Sequence, residues 1–110
     1  MEALTIIEKK GANYILLELT GSINAYTLSE FQNRIYSAIL ETNLVLDLSQ
    51  VDEIDSSAMG VIMAAFNDGL ETDPRHRLYL LNMSPQAQKT VTDTGFVDAF
   101  DVIGSVTEVA

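Results

Sequence analysis

Few stretches of this chain carry side chains able to do chemistry, and the densest is Asp55-Ser56-Ser57. A carboxylate beside two hydroxyls can cap a helix, help hold a cation, support a nucleophile or present a hydroxyl for modification. Asp52 and Glu53 stand just before it, and Asp47 lies a little further upstream. Spacing narrows the choice. Ser56 sits in no G-x-S-x-G elbow, and no base is placed to activate it. His76, the single histidine, falls in a polar connection between two arginines with no nucleophile beside it, so it reads as a solvated loop residue. Asp52, Glu53 and Asp55 do not have the spacing of an EF-hand loop and read as a solvated link, not a metal site. Neither a Walker-type nor a dinucleotide glycine pattern is present. The chain is therefore expected to be no enzyme and to hold no cofactor of its own. Capping needs only one polar oxygen, which satisfies an orphan N–H of the first helical turn. Three polar residues in a row leave at least one hydroxyl over.

The elements on either side say where that hydroxyl would sit. Upstream, Leu44-Val45-Leu46 has the look of a buried strand, with Asp47 and Ser49 at its end and Val51 and Ile54 as anchors in a short connection. Downstream, Met59, Ile62, Met63, Phe66 and Leu70 recur at helical steps of three and four. Ala58, Val61, Ala64 and Ala65 cover much of the remaining circumference, so this helix should be buried on most sides at the centre of the domain. A polar cluster at the carboxyl end of a strand, where a helix begins, is a common functional position in α/β sheets.

The rest of the chain supplies further elements in the same rhythm. Leu4 to Glu8 and Asn13 to Thr20 read as strands joined by a turn at Lys9-Lys10-Gly11-Ala12. Gly21 to Tyr26 is expected to be a loop, and Thr27 to Glu30 has capping-box spacing. A helix follows, with Leu28, Phe31, Ile35, Ala38 and Ile39 on its inner face, ending near Thr42. Asn67 to Arg77 is a polar connection in which Gly69 helps end the central helix. Leu78 to Leu81 forms another buried strand. Ser84-Pro85 starts a helix lined by Ala87, Val91 and Thr94 and terminated by Gly95. Phe96, Val97 and Phe100 should pack beneath it, Val102-Ile103 is a candidate edge strand, and Ser105 to Glu108 allows at most a terminal turn of helix.

Composition bounds the possibilities. At 110 residues this is one domain, residues 1–110, with nearly half its side chains apolar, enough for a single core. No apolar run approaches a membrane span, no signal peptide is legible and there is no cysteine, which points to a soluble cytoplasmic protein. Sixteen acidic residues against six basic ones give a net charge of −10. Nucleic acid and anionic membrane surfaces are poor partners for such a chain, and a protein with a basic docking face is a good one.

The stretch VLDLSQVDEIDSSAMGVI resembles the signature of the STAS domain, and in particular that of bacterial anti-sigma factor antagonists. The match extends over about eighteen positions. The resemblance implies an α/β fold: a mixed sheet of four to five strands packed with three to four helices. The order of elements read above is β-β-α-β-α-β-α-β with a short C-terminal helical turn. The resemblance also implies a role in transcription regulation by partner switching. The unmodified antagonist would bind a serine-kinase anti-sigma factor and free the sigma factor. The kinase, using its own ATP and magnesium, would phosphorylate the serine after the aspartate, and a PP2C-type phosphatase would reverse this. Carried onto this chain, the acceptor is Ser56, with Ser57 as the alternative. The partner-binding positions are Asp55, Ser56, Ser57, Ala58, Met59 and Gly60, with Asn24 and Ala25 from the flanking loop and Asp47 as a matching acidic position. A monomer or weak dimer is expected.

The chain departs from the family pattern in three places. Ala58 replaces a glycine and adds a methyl where a kinase would approach, Asn24 stands where aspartate is frequent, and the C-terminal helix is short or absent. The first two favour a second reading, a STAS scaffold or a nucleotide- or lipid-binding module without a phosphorylation cycle. Under the first reading, a phosphate on Ser56 adds about −1.5 to −2 charges. A helix N-terminus tolerates that charge, whereas an interface flanked by Asp55 and Asp47 would not.

Overall fold

The computed structural model describes residues 4–95 and 100–109. Five strands form one sheet in the order β1-β2-β3-β4-β5: β1 Leu4–Lys10, β2 Tyr14–Ile23, β3 Asn43–Ile54, β4 Leu78–Leu81 and β5 Asp101–Ile103. The β1–β2 hairpin is antiparallel and every later pair is parallel, which makes the sheet mixed. Three helices make the crossovers that parallel pairing requires: α1 Leu28–Glu41, α2 Ser56–Leu70 and α3 Pro85–Asp93. A 3-10 turn over Val106–Glu108 follows β5. The α/β class, the mixed sheet and the order β-β-α-β-α-β-α-β are as the sequence implies.

Strand β3 alternates as it passes through the core. Leu44, Leu46 and Leu48 point to the face that the helices cover, joined there by Phe31, Ile35 and Ile39 of α1, Met59 and Ile62 of α2, and Ala87 and Val91 of α3. Val45 points the other way, into a smaller cluster with Tyr79, Leu81 and Ile103, against which Val106 and Val109 pack. Burial of both faces explains why these strands read as nearly continuous apolar runs.

This strand is longer than its apolar run Leu44-Val45-Leu46 suggests. β3 continues through Val51 to Ile54, and β2 runs past Gly21 to Ile23 beside it. The register between them shifts twice, between Glu18 and Thr20 and between Gly21 and Ser22, each time giving β3 an extra residue. Each bulge replaces one step of two with a step of three, so the buried set runs Leu44, Leu46, Leu48, Val51, Ile54. An irregular spacing of this kind looks like a loop when judged by alternation alone. Gly21 permits the second bulge with φ 110°, a conformation that disfavours any residue with a Cβ.

Helix α2 is buried or half-buried around the larger part of its circumference and leaves one face open. Ala58, Met59, Val61, Ile62, Ala65 and Gly69 are inside, Met63, Ala64 and Phe66 are half-buried, and Gly60, Asn67 and Asp68 are exposed. The small residues bring α2 close to α1. Gly69 is the tightest point: a Cβ there would overlap the His76 carbonyl and press on Ile39. It lies inside the helix, not in the connection after it. His76 is also more than a solvated loop residue, being half-buried with its Nδ1 2.6 Å from the Ile39 carbonyl oxygen at the end of α1. Its backbone N–H donates to the Gly69 carbonyl at 2.8 Å.

Helix α3 starts as its sequence indicates, with Ser84 as N-cap and Pro85 in the first turn. Phe100 packs into the main core and meets Phe66 edge to face at 5.4 Å, whereas Phe96 and Val97 lie outside the described residues.

Candidate functional site

The site lies where parallel strands β2 and β3 give way to helices. Ile23 pairs with Ile54, and the Asp55 N–H donates to the Ile23 carbonyl at 3.2 Å, so the Asp55-Ser56-Ser57 corner and the loop after β2 share one end of the sheet.

Asp55 is the N-cap of α2. Its backbone is extended (φ −96°, ψ 177°), and its Oδ1 accepts from the Ala58 N–H at 2.9 Å and from the Ser57 hydroxyl at 2.6 Å. The carboxylate is thus committed to holding the first turn. Ser57 is exposed but occupied, since its hydroxyl points back to Asp55. Ser56, the first residue of the helix, is exposed, and no hydrogen bond engages its hydroxyl among the described residues. One side chain caps, one braces the cap, and one is available.

Helical periodicity sorts the residues that follow. Gly60, one turn after Ser56, shares its exposed face, and a Cβ built there would meet nothing within 4 Å. Ala58 and Met59 fall on the opposite face and are 0% and 1% exposed. Their place in the signature suggests a partner surface, but neither Ala58 nor Met59 is part of one; both belong to the core. The Ala58 methyl consequently does not stand in the path of an approaching protein.

The loop after β2 is tied down by its own polar side chains. The Asn24 Oδ1 accepts from the Tyr26 N–H at 2.9 Å, and its Nδ2 donates to Glu53 Oε1 at 3.0 Å. The Thr27 hydroxyl accepts from the Asn24 N–H at 3.0 Å and donates to the Ser22 carbonyl at 2.9 Å. Thr27 therefore braces the loop and makes no side-chain cap to α1, although its spacing to Glu30 suggests a capping box. Ala25 is exposed and Tyr26 is 81% exposed.

Asp47 is not brought to this corner. It pairs with Glu18 and Leu81 in mid-sheet, five residues of β2 before Ile23, which at strand rise is about 16 Å away. That is roughly two screening lengths at physiological salt, too far for Asp47 to act strongly on a charge at Ser56. Its Oδ1 accepts from the Ser49 N–H at 3.0 Å. Glu53 and Thr27, which the sequence suggests as a solvated link and a helix cap, instead hold the loop, and Tyr26 is what the loop displays. The available signal was Asn24, a residue type that turns by bonding its own backbone two residues on.

Comparison with known proteins bears on the family and the fold. The family model of the STAS domain matches residues 4–109, and the chain belongs to that family. A comparison with curated protein sequences gives no significant match. Among solved structures, an anti-sigma factor antagonist from Mycobacterium paratuberculosis superposes with a TM-score of 0.82 at 16% identity, covering 96% of this chain and 90% of that one. SpoIIAA, an anti-sigma factor antagonist, gives 0.75 at 18% identity in its unphosphorylated form, covering 94% of this chain and 90% of that one. The Bacillus cell-fate determinant SpoIIAA in its phosphorylated form gives 0.69 at 19% identity, with 94% of each chain covered. At these identities the likeness is one of fold. Among the described residues no helix is long and apolar enough to cross a membrane.

Proposed function

We propose that this protein is an anti-sigma factor antagonist switched by phosphorylation of Ser56. In its unmodified form it docks on a serine-kinase anti-sigma factor and releases the sigma factor. The kinase transfers the γ-phosphoryl group of its own ATP to Ser56, with magnesium, and docking ends. A PP2C-type phosphatase resets the cycle. The observation that carries this reading is the state of the three polar side chains at the start of α2. The Asp55 carboxylate holds the Ala58 N–H and the Ser57 hydroxyl, and of the three only the Ser56 hydroxyl is exposed with no partner among the described residues.

The physical consequences of a phosphate differ inside and outside the chain. Inside, the dianion stands at a helix N-terminus, where the backbone dipole favours it, so the fold survives. Outside, it places about −1.5 to −2 charges beside the Asp55 carboxylate and carries a hydration shell that a close interface would have to strip. The change is local and needs no rearrangement of the domain. Asp47 lies too far off to contribute. The alternative, a scaffold or ligand-binding module, loses the support it drew from Ala58, whose methyl is buried in the core.

The test is incubation with the kinase and ATP followed by intact mass spectrometry. Wild type should gain one phosphate and leave the complex, and Ser56→Ala should gain none. A Ser56→Ala protein that is still labelled refutes the assignment. Ser56→Asp should stay folded and bind the kinase at least about tenfold more weakly, the effect of a like-charge contact at an interface.

A further inference from the structure

We propose that Tyr26 is the anchoring side chain of the surface around Ser56, and that the partner covering it offers a basic face with a slot for an aromatic ring. This rests on the partner-docking reading above and adds to it which residue supplies the affinity. Tyr26 is 81% exposed, more than any other large apolar side chain described. The other strongly exposed ones lie elsewhere: Ile7 and Val102 on the two outer strands, Leu40 and Leu70 at the far ends of α1 and α2. Of these, Tyr26 alone lies in the loop after β2, at the end of the sheet where α2 begins.

Its loop is built to hold it there. The Tyr26 N–H is fixed to Asn24 Oδ1, Asn24 is fixed to Glu53 at the end of β3, and Thr27 closes the turn through the Ser22 carbonyl and the Asn24 N–H. A ring on a pre-ordered backbone loses little freedom when it is covered, because only two side-chain torsions remain to be fixed. A tyrosine at the centre of an interface is among the residue types that carry most of the binding energy. The charge around it selects the partner. Glu30, Asp52 and Glu53 are exposed near this end, and the chain carries −10 overall, so the complementary face is cationic. An arginine or lysine over the ring would add a cation–π contact. Nucleic acid, with its own negative backbone, does not meet these terms.

Calorimetric titration of the purified chain against the purified serine-kinase anti-sigma factors of its source organism tests the inference. Tyr26→Ala should bind about thirtyfold or more weakly, the loss typical of a central aromatic, with its melting temperature unchanged. Tyr26→Phe should bind within about threefold of wild type, since the ring and not the hydroxyl is held to act. Affinity should fall as salt rises. If Tyr26→Ala binds as tightly as wild type while Ser56→Asp still loses affinity, the anchor is wrong and the switch stands. If wild-type affinity does not respond to salt, the basic face is wrong. If wild type binds none of these kinases, both readings fall.

Discussion

Ser56 and Ser84 each stand where a parallel strand gives way to a helix, yet the fold puts them to opposite uses. Ser84 is 8% exposed. Its hydroxyl donates to the Val51 carbonyl at 2.6 Å and accepts from the Ala87 N–H at 3.1 Å, while its own N–H donates to the Leu48 carbonyl at 3.1 Å. It caps α3 and at the same time pairs carbonyls of β3 beyond the point where β4 ends. Ser56 is exposed, and its hydroxyl has no hydrogen-bond partner among the described residues. The difference is one residue of register. In α3 the serine is itself the cap; in α2 the cap is Asp55, so the serine moves into the first turn and faces outward. A hydroxyl at a strand–helix junction becomes structural or available according to which neighbour takes the capping bond.

The largest contrast between the two should come from alanine substitutions. Ser56→Ala is expected to abolish kinase labelling and leave stability nearly untouched. Ser84→Ala should keep labelling but lose about 1–3 kcal/mol, because a buried carbonyl and a helix N–H lose their partner. In a domain of this size each kcal/mol lowers the melting temperature by about 4–8 °C, which a calorimetric scan resolves. Loss of labelling in a folded Ser84→Ala protein would break the comparison.

Gly60→Ala sharpens it from the side of the partner. Glycine in a helix costs roughly 0.5–1 kcal/mol against alanine, and the space around Gly60 is open, so the substitution should stabilise the isolated domain by about that much. It should also weaken kinase binding, because the added methyl lies one turn from Ser56 on the docking face. A variant that is more stable and binds equally well would leave this glycine without a reason in either the fold or the complex. Ser57→Ala is the smallest change. It removes one exposed hydrogen bond to Asp55, worth no more than about 0.5–1 kcal/mol, and chemical denaturation should show that alone while Ser56 is labelled as before.

Much of this was legible in the residues themselves. Steps of three and four from Met59 to Leu70 announce α2, Ser84-Pro85 announces α3, and Gly95 closes it in the left-handed region with φ 78°. Other features were hidden by effects that periodicity does not carry. The end of β3 escaped notice because two bulges break its alternation. Gly69 resembled a helix breaker because nothing nearby in sequence reveals that Ile39 and the His76 carbonyl fill the space where its side chain would be. Asp47 resembled a neighbour of Ser56 because closeness along a chain is not closeness along an extended strand.

The amino-acid sequence by itself determined the order of the elements and the polar corner at Asp55-Ser56-Ser57, since these follow from local periodicity and capping chemistry. Only the tertiary structure decided which of the three polar side chains remains free, that Ala58 and Met59 turn inward, and that the loop bearing Tyr26 lies at the same corner. Those outcomes depend on the β2–β3 register and on hydrogen bonds between residues such as Asn24 and Glu53, far apart in the chain. A pairing of that kind exists only once the sheet has formed.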